Sequence, residues 1–211
     1  MMKLLDAGLS PNALRARAVI FELGLPVELE AVNPADPAVK AGTLRPVNPN
    51  TKVPVLVEGD FVLWESRAII AYLAAGTPLY PADPKHRAII DQWNYWGAVH
   101  LGPALQGVSF ERFMKPRFGM GSPNEAAIAS YLTELARFLP VLDGALSGKD
   151  WIAGDLSIAD FAIAATLIYR DPAGIDCSAA PNVLAWMERI EARPSWQKAI
   201  APVNAFIAGG R

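Results

Sequence analysis

Residues 48–73 read NPNTKVPVLVEGDFVLWESRAIIAYL, and this stretch decides the fold of the first half of the chain. Two β-rich runs, VPVLV and FVLW, flank the sequence EGD, which is typical of a β-hairpin. The apolar residues of the following SRAIIAYL share one face of a helix. We therefore expect an antiparallel strand pair that leads directly into a helix.

The residues upstream of this stretch predict a strand, a helix and a second strand. MKLLDA (2–7) and PVELEAVN (26–33) have strand character, and residues 11–23 between them have a helical period. This order implies a parallel strand pair joined by a crossover helix. Residues 35–51 contain three prolines and are expected to be irregular or weakly helical. The order β-α-β-α-β-β-α predicts a four-stranded mixed sheet flanked by helices.

Helical patterns replace strands after the proline-rich stretch PLYPADP. Residues 83–116 predict one long helix that is kinked near Gly102 and Pro103. The change in pattern divides the chain into an α/β domain at 1–76, a linker at 77–84 and an all-helical domain at 85–211. The predicted class is therefore α+β.

Two helices of the second half carry recognisable start signals. In SPNEAAIASYL, Ser122 is the predicted N-cap and Glu125 the acidic partner of a capping box. SIADF repeats the pattern with Ser157 and Asp160. Because a carboxylate in the first helical turn closes such a box, we expect Asp160 to serve folding and to have no part in catalysis.

The composition narrows the functional classes. Of 211 residues, 52% are apolar and 19% charged, which is typical of a globular protein. The net charge is −2, and the charged residues are spread along the sequence without a basic stripe, so a nucleic-acid partner is not expected. The sequence shows neither a secretory signal nor an apolar run of membrane-spanning length, and a single cysteine, Cys177, cannot form an internal disulfide. These features predict a soluble, cytoplasmic protein without a membrane partner.

Ser10 stands directly before Pro11 at the predicted start of the first helix. Serine is a preferred N-cap, and proline is favoured at the position after it. Judged from these two residues alone, Ser10 is a helix cap. A chemical role for its hydroxyl is the alternative, and it depends on the rest of the chain.

The segments at 10–26, 48–73 and 151–167 resemble the cytosolic glutathione S-transferases in their order and separation, and the pairing of KVPVL with ESRAI is the specific part. The serine-type branches (phi-, theta- and delta-like) are nearest, with a bacterial-looking character, because Ser10 occupies the position of their catalytic serine. The resemblance implies a thioredoxin-like N-terminal domain, an all-helical C-terminal domain and a homodimer. Leu14 is a departure, since relatives commonly carry arginine there. A polar role for the adjacent Arg15 is left open.

The resemblance also assigns residues to the glutamyl and cysteinyl parts of glutathione. Ser66, at a helix start, would bind the glutamyl carboxylate, and Glu65 would receive the ammonium group. The alternative is that this pair merely caps the helix. Val53 would pair with the cysteinyl backbone if its bond to Pro54 is cis, as it is in the family.

Lys40 and Lys52 would bind the glycine carboxylate of glutathione, although lysines are ordinarily just solvated surface. Ser10 would donate a hydrogen bond to the glutathione thiolate. Phe110 and Phe113 are candidates for lining a hydrophobic substrate pocket between the domains, although aromatic residues in such stripes more often belong to the core.

The expected function is that of an enzyme that activates glutathione as a thiolate for conjugation to small hydrophobic electrophiles. Glutathione is then a co-substrate, and neither a metal nor another cofactor is expected. Two alternatives stay open: glutathione-dependent peroxidase activity, and a non-catalytic protein that binds hydrophobic ligands on the same fold.

Overall fold

A single mixed sheet forms the centre of the first half of the chain. The computed structural model describes residues 1–209. The strands are β1 (Met2–Asp6), β2 (Val27–Ala31), β3 (Val55–Glu58) and β4 (Phe61–Trp64), in the spatial order β2-β1-β3-β4. β1 pairs parallel with β2 and antiparallel with β3, and β3 pairs antiparallel with β4. The predicted parallel pair and hairpin are both confirmed.

Two helices of the first half pack against each other beside this sheet. They are α1 (Pro11–Glu22) and α3 (Ser66–Ala74). Leu14 and Val19 of α1 and Ile69 and Ile70 of α3 are fully buried in the same apolar core. Between β2 and β3, the chain forms only the short helix α2 (Pro37–Val39) and a π-helical turn at Lys40–Leu44, as expected for a proline-rich segment.

Helices make up the second half of the described chain, which confirms the α+β class. They are α4 (Pro84–Trp96), α5 (Gly102–Ser109), α6 (Lys115–Arg117), α7 (Glu125–Leu146), α8 (Ile158–Ala164), α9 (Pro181–Glu191) and α10 (Pro194–Ala208). The predicted domain at 85–211 extends two residues beyond the described part. Every helix within residues 1–209 is too short or too polar to cross a membrane.

The long helix predicted at 83–116 is present as one continuous helical segment, Pro84 to Arg117, which we call the rod and which contains two π-helical turns. These turns, Gly97–Leu101 and Phe110–Met114, join α4, α5 and α6. The first ends directly before Gly102 and Pro103, where the kink was expected, because proline lacks the N–H that a regular α-helix needs. A Cβ at Gly97 would lie 2.8 Å from Cγ1 of Ile163, so glycine lets α8 approach the rod closely.

The predicted start of α7 is wrong by two residues. Its N-cap is Asn124 and not Ser122: the Asn124 side chain accepts a hydrogen bond from the Ala127 N–H at 3.1 Å. The Asn124 N–H donates to Oε2 of Glu111, at 2.8 Å, on the preceding rod. A carboxylate from another helix thus takes the place expected for Glu125, and no local pattern could indicate that contact.

The capping box of α8 is confirmed. The Ser157 side chain accepts from the Ala159 N–H at 3.3 Å, and Oδ2 of Asp160 accepts from the Ser157 N–H at 2.9 Å. Oδ1 of Asp160 also accepts from the Ile152 N–H at 3.0 Å and from Nε1 of Trp186 at 2.9 Å. Asp160 therefore ties α8 both to the preceding loop and to α9.

Candidate active site

A cavity of about 970 Å³ lies where α1, α3, α4 and the loops before α2 and β3 meet. All seven residues that the sequence assigned to glutathione line this cavity, although they come from separate segments of the chain. They are Ser10, Lys40, Lys52, Val53, Pro54, Glu65 and Ser66. The fold therefore brings the predicted set together.

Ser10 is the N-cap of α1. Its Oγ accepts a hydrogen bond from the Ala13 N–H at 3.3 Å, and Pro11 follows at the first helical position. The predicted capping role is confirmed. The Ala13 bond uses only a lone pair of the hydroxyl oxygen, so the hydroxyl proton is left to donate to a ligand.

The loop before Ser10 is held by side chains from two other parts of the chain. Arg17 donates to the Gly8 carbonyl at 2.9 Å and to the Ala7 carbonyl at 3.4 Å. The Tyr169 hydroxyl donates to the Leu9 carbonyl at 2.7 Å. Burial raises the pKa of Tyr169 to about 12, so this phenol keeps its proton at neutral pH. Three successive carbonyls are thereby fixed, which orients the start of α1.

The Val53–Pro54 peptide bond is cis, as the resemblance implied. Within residues 1–209, the Val53 N–H and C=O form no backbone hydrogen bond. They are free to pair with an extended ligand. The adjacent Lys52 carbonyl is fixed by Nδ2 of Asn48 at 3.0 Å.

Glu65 and Ser66 do not merely cap α3. Glu65 occupies the N-cap position without a side-chain capping bond, and its φ of 72° lies in the left-handed region. For a non-glycine residue, such a backbone costs about 1–3 kcal/mol and is typical of functional sites. The Glu65 carbonyl accepts from the Ile69 N–H at 3.0 Å, while Oγ of Ser66 accepts from Nη1 of Arg15 at 2.9 Å, and both residues line the cavity.

Arg15 does have a polar role. Leu14 points into the core with no exposed surface, while Arg15, at 1% exposure, lines the cavity. Burial lowers the pKa of Arg15 well below its usual range, and the charge of Arg67 lowers it further. Arg67 also lines the cavity, and burial lowers its pKa to about 10.

Sequence reasoning did not assign Arg67 or Asn94 to the site. Asn94, on α4, lines the same cavity and is 5% exposed. An arginine directly after Glu65-Ser66 was a visible signal for Arg67. For Asn94 no sequence signal existed, because it comes from the helical half of the chain.

Lys40 and Lys52 lie at the solvent-exposed part of the cavity lining. Lys40 begins the π-helical turn after α2, and Lys52 directly precedes Val53. Cations at this end are well placed for a terminal carboxylate.

Phe110 and Phe113 do not line this cavity. Phe110 is 42% exposed, and Phe113 packs on Tyr169 and Phe206 with ring centroids 5.6 Å and 5.9 Å apart. Tyr169 connects this aromatic cluster to the loop before Ser10. The cluster therefore lies next to that loop, outside the cavity.

Comparisons with known proteins identify the family. The model for "Glutathione S-transferase, N-terminal domain" matches residues 1–75, and that for "Glutathione S-transferase, C-terminal domain" matches residues 106–194. Glutathione S-transferase 3 of Zea mays is 35% identical over 96% of this chain and 94% of its own length. The chain belongs to the glutathione S-transferase family. The resemblance seen in the sequence is thereby confirmed.

Solved glutathione S-transferases share the whole architecture. Glutathione S-transferase-I bound with lactoylglutathione has a TM-score of 0.86 at 30% identity, and the match covers 95% of this chain and 99% of that one. Glutathione S-transferase I from maize, in complex with an atrazine glutathione conjugate, has a TM-score of 0.82 at 29% identity. That match covers 96% of this chain and 98% of the other.

Proposed function

We propose that this glutathione transferase binds glutathione in the cavity beside Ser10 and conjugates its thiolate to small hydrophobic electrophiles. The observation that carries the proposal is the convergence of seven residues, assigned to glutathione from the sequence, on one cavity. Glutathione is the co-substrate, and the chemistry requires no further cofactor. The maize relative in complex with an atrazine glutathione conjugate supports conjugation as the reaction.

Ser10 supplies the activation of the thiol. A free thiol has a pKa of about 8.5, so about 3% is thiolate at pH 7. Lowering that pKa by two units takes about 2.7 kcal/mol of preferential interaction with the anion. A hydrogen bond to a charged group contributes about 1.5–3 kcal/mol, and a helix N-terminus about 0.3–1 kcal/mol. The Ser10 hydroxyl at the start of α1 is therefore sufficient, and no general base is needed.

The remaining contacts follow from the chemistry of glutathione. Val53 pairs with the cysteinyl amide through its free backbone groups. Lys40 and Lys52 bind the glycine carboxylate at the exposed end. Ser66 and the N-terminus of α3 bind the glutamyl carboxylate, and Glu65 binds the ammonium group. These roles divide the cavity into a glycyl end and a glutamyl end.

The electrophile approaches from the aromatic cluster of Phe113, Tyr169 and Phe206. This cluster supplies apolar ring surface, and Tyr169 contacts the residue before Ser10. An apolar molecule that packs on these rings stands close to the thiolate. Phe113 is the stronger candidate of the two predicted residues, because it packs on Tyr169, which contacts Leu9.

The test is the thiolate absorbance of bound glutathione, measured in the ultraviolet against pH. In the wild type we expect a midpoint about two pH units below that of free glutathione, and in Ser10→Ala a midpoint near the free value. Ser147→Ala, an exposed serine outside the cavity, is the matched control. Identical titrations of wild type and Ser10→Ala would refute the role of Ser10, and absence of glutathione binding by calorimetry would refute the function.

We propose further that the protein is a cytoplasmic homodimer, as the family resemblance implies. Strand β4 is an edge strand and exposes three large apolar side chains, Phe61 (44%), Val62 (36%) and Trp64 (36%). Val62 and Trp64 share one face of the strand, and exposed apolar side chains on an edge strand favour contact with another chain. Light scattering should give twice the chain mass of 22.7 kDa, and a monomer mass would overturn the proposal.

A further inference from the structure

A second cavity, of about 300 Å³, lies between α5, α7 and the loop before α9, and we call it the α7 groove. Among the described residues it shares no lining residue with the cavity beside Ser10. Small-molecule sites start at about this volume and are mostly apolar with a few polar groups. The floor of the groove has that character, because it consists of five buried apolar side chains, Leu105, Leu135, Leu139, Ile175 and Ala180.

The rim of the α7 groove carries a single charge. Within residues 1–209, Asp176 is the only charged residue that lines the groove. Its Oδ1 accepts a hydrogen bond from the Ser178 N–H at 2.8 Å, which lowers the pKa of Asp176 and keeps the carboxylate charged at neutral pH. Arg170, the basic residue nearest to it in the chain, pairs with Asp171 and Glu191 instead. In the described part of the chain, the Asp176 carboxylate is therefore left without a counter-ion.

A proline in α7 adds a second hydrogen-bond acceptor to the rim. Pro140 lies inside the helix and has no N–H, so the Ala136 carbonyl lacks the bond that residue 140 would donate in a regular helix. Both residues are exposed and line the groove. An ammonium group has three N–H donors, and carboxylate and carbonyl oxygens are the acceptors that it needs.

The start of α9 does not turn the α7 groove into an anion site. Ala180, on the floor, directly precedes α9, and the N-terminus of a helix favours a negative charge. Here Oδ1 of Asp143, on α7, accepts from the N–H groups of Asn182 and Val183 at 2.8 Å and 3.1 Å. Because a carboxylate of the protein already occupies these donors, the groove presents an anionic ligand with only apolar surface and a negative rim.

We propose that the α7 groove binds a small apolar amine, whose hydrocarbon part packs on the buried floor and whose ammonium group pairs with Asp176. The cavity beside Ser10 has the opposite charge preference, since its lining carries four basic side chains, Lys40, Lys52, Arg15 and Arg67. A ligand of the groove is thus chemically unlike glutathione. The inference goes beyond the proposed function and does not depend on it.

The test compares three ligands that share a phenyl ring on a three-carbon chain: phenylpropylamine, phenylpropanol and phenylpropanoate. They differ in charge, and their binding to the full chain is followed by amide chemical shifts in nuclear magnetic resonance, which give both affinity and place. Wild type should bind the amine about 3- to 10-fold more tightly than the alcohol, between the effects of an exposed ion pair and of a hydrogen bond to a charged group. The acid should bind more weakly than the alcohol.

Two variants at exposed positions locate the effect. Asp176→Asn should remove the preference for the amine and leave the affinity for the alcohol unchanged. Asp171→Asn, in the same loop but outside the groove lining, is its matched control and should keep the preference. Ala136→Phe places a ring at the rim and should weaken binding of all three ligands.

Three results would overturn the proposal. One is a wild type that does not bind the amine, or binds it no more tightly than the alcohol. Another is a preference for the amine that survives in Asp176→Asn. The third is binding that Ala136→Phe does not change, or that shifts the amides of residues lining the cavity beside Ser10 in place of those of the groove. Thermal melting of each variant checks that it is folded.

Discussion

Replacing Asp160 by alanine tests whether this residue serves folding or chemistry. Asp160 is fully buried, and its two oxygens accept four hydrogen bonds, from the N–H groups of Ile152 and Ser157, the Ser157 hydroxyl and Nε1 of Trp186. Alanine leaves three N–H donors without an acceptor, while the hydroxyl can rotate to another one. The cavity beside Ser10 is not lined by any of these groups.

The magnitude follows from those three donors. A buried donor without a partner costs about 1–3 kcal/mol, so the simple sum is about 3–9 kcal/mol. Burial raises the pKa of Asp160, because the charged carboxylate has lost its hydrating water, and this lost hydration destabilises the folded state. Its removal offsets part of the loss, so we expect about 4 kcal/mol. At about 2–4 °C per kcal/mol for a chain of this length, the melting temperature falls by about 8–16 °C.

The assay is thermal unfolding in parallel with steady-state conjugation at a temperature where the variant is folded. We expect kcat and the KM for glutathione to match wild type there. Asp176→Ala is the control, because Asp176 is an exposed carboxylate that accepts one backbone bond, from Ser178 at 2.8 Å. An unchanged melting temperature together with weak activity would refute the assignment of Asp160 to folding.

Two further predictions concern the loop before Ser10 and the acid stability of the fold. Tyr169→Phe removes the bond to that loop, worth about 0.5–1.5 kcal/mol, so kcat should fall about 2- to 10-fold with an unchanged KM for glutathione. Tyr131→Phe is the control, because the Tyr131 hydroxyl forms no hydrogen bond within residues 1–209. A rise in KM instead of a fall in kcat would contradict the positioning role of Tyr169. Glu22 of α1 accepts a hydrogen bond from Arg193 at the start of α10. Burial alone would raise the pKa of the Glu22 carboxyl, but the hydrogen bonds from Arg193 and Ser195 outweigh it and lower the pKa below 4.5. Because the unfolded chain binds the proton more readily, this carboxylate stabilises the fold above pH 4.5, and the stabilisation is lost as the pH falls through the folded pKa. In thermal melts from pH 7 to pH 3, Glu22→Gln should therefore lose less stability at low pH than wild type.

The sequence predicted most features that depend on residues a few positions apart, with the N-cap of α7 as the exception. The hairpin at 55–64 follows from two β-rich runs around a tight turn, and the cap at Ser10 from a serine before a proline. The box of Ser157 with Asp160 needs only a spacing of three residues. Such patterns are visible in the chain because backbone hydrogen bonds at helix ends and turns are local. The domain boundaries at 76 and 84 stay predictions.

The assignment of residues to glutathione came from the family resemblance and not from local pattern. Spacing alone made Ser10 a helix cap and the lysines solvated surface. The fold then brought the assigned residues to one cavity, because β1, β3 and the starts of α1 and α3 are neighbours in the sheet and its helical layer. Their contacts with glutathione stay proposals, as does the dimer.

Only the tertiary structure decided the contacts between residues far apart in the chain. Arg15 and Ser66 are separated by 51 positions, and Tyr169 and Leu9 by 160, so no local spacing indicates either hydrogen bond. Likewise the N-cap of α7 is Asn124, whose N–H donates to the Glu111 carboxylate 13 residues earlier. Sequence fixes which helices and strands form, through local hydrogen bonding and apolar periodicity. Packing between elements also decides that Nε and Nη2 of Arg15 are buried without an acceptor within residues 1–209.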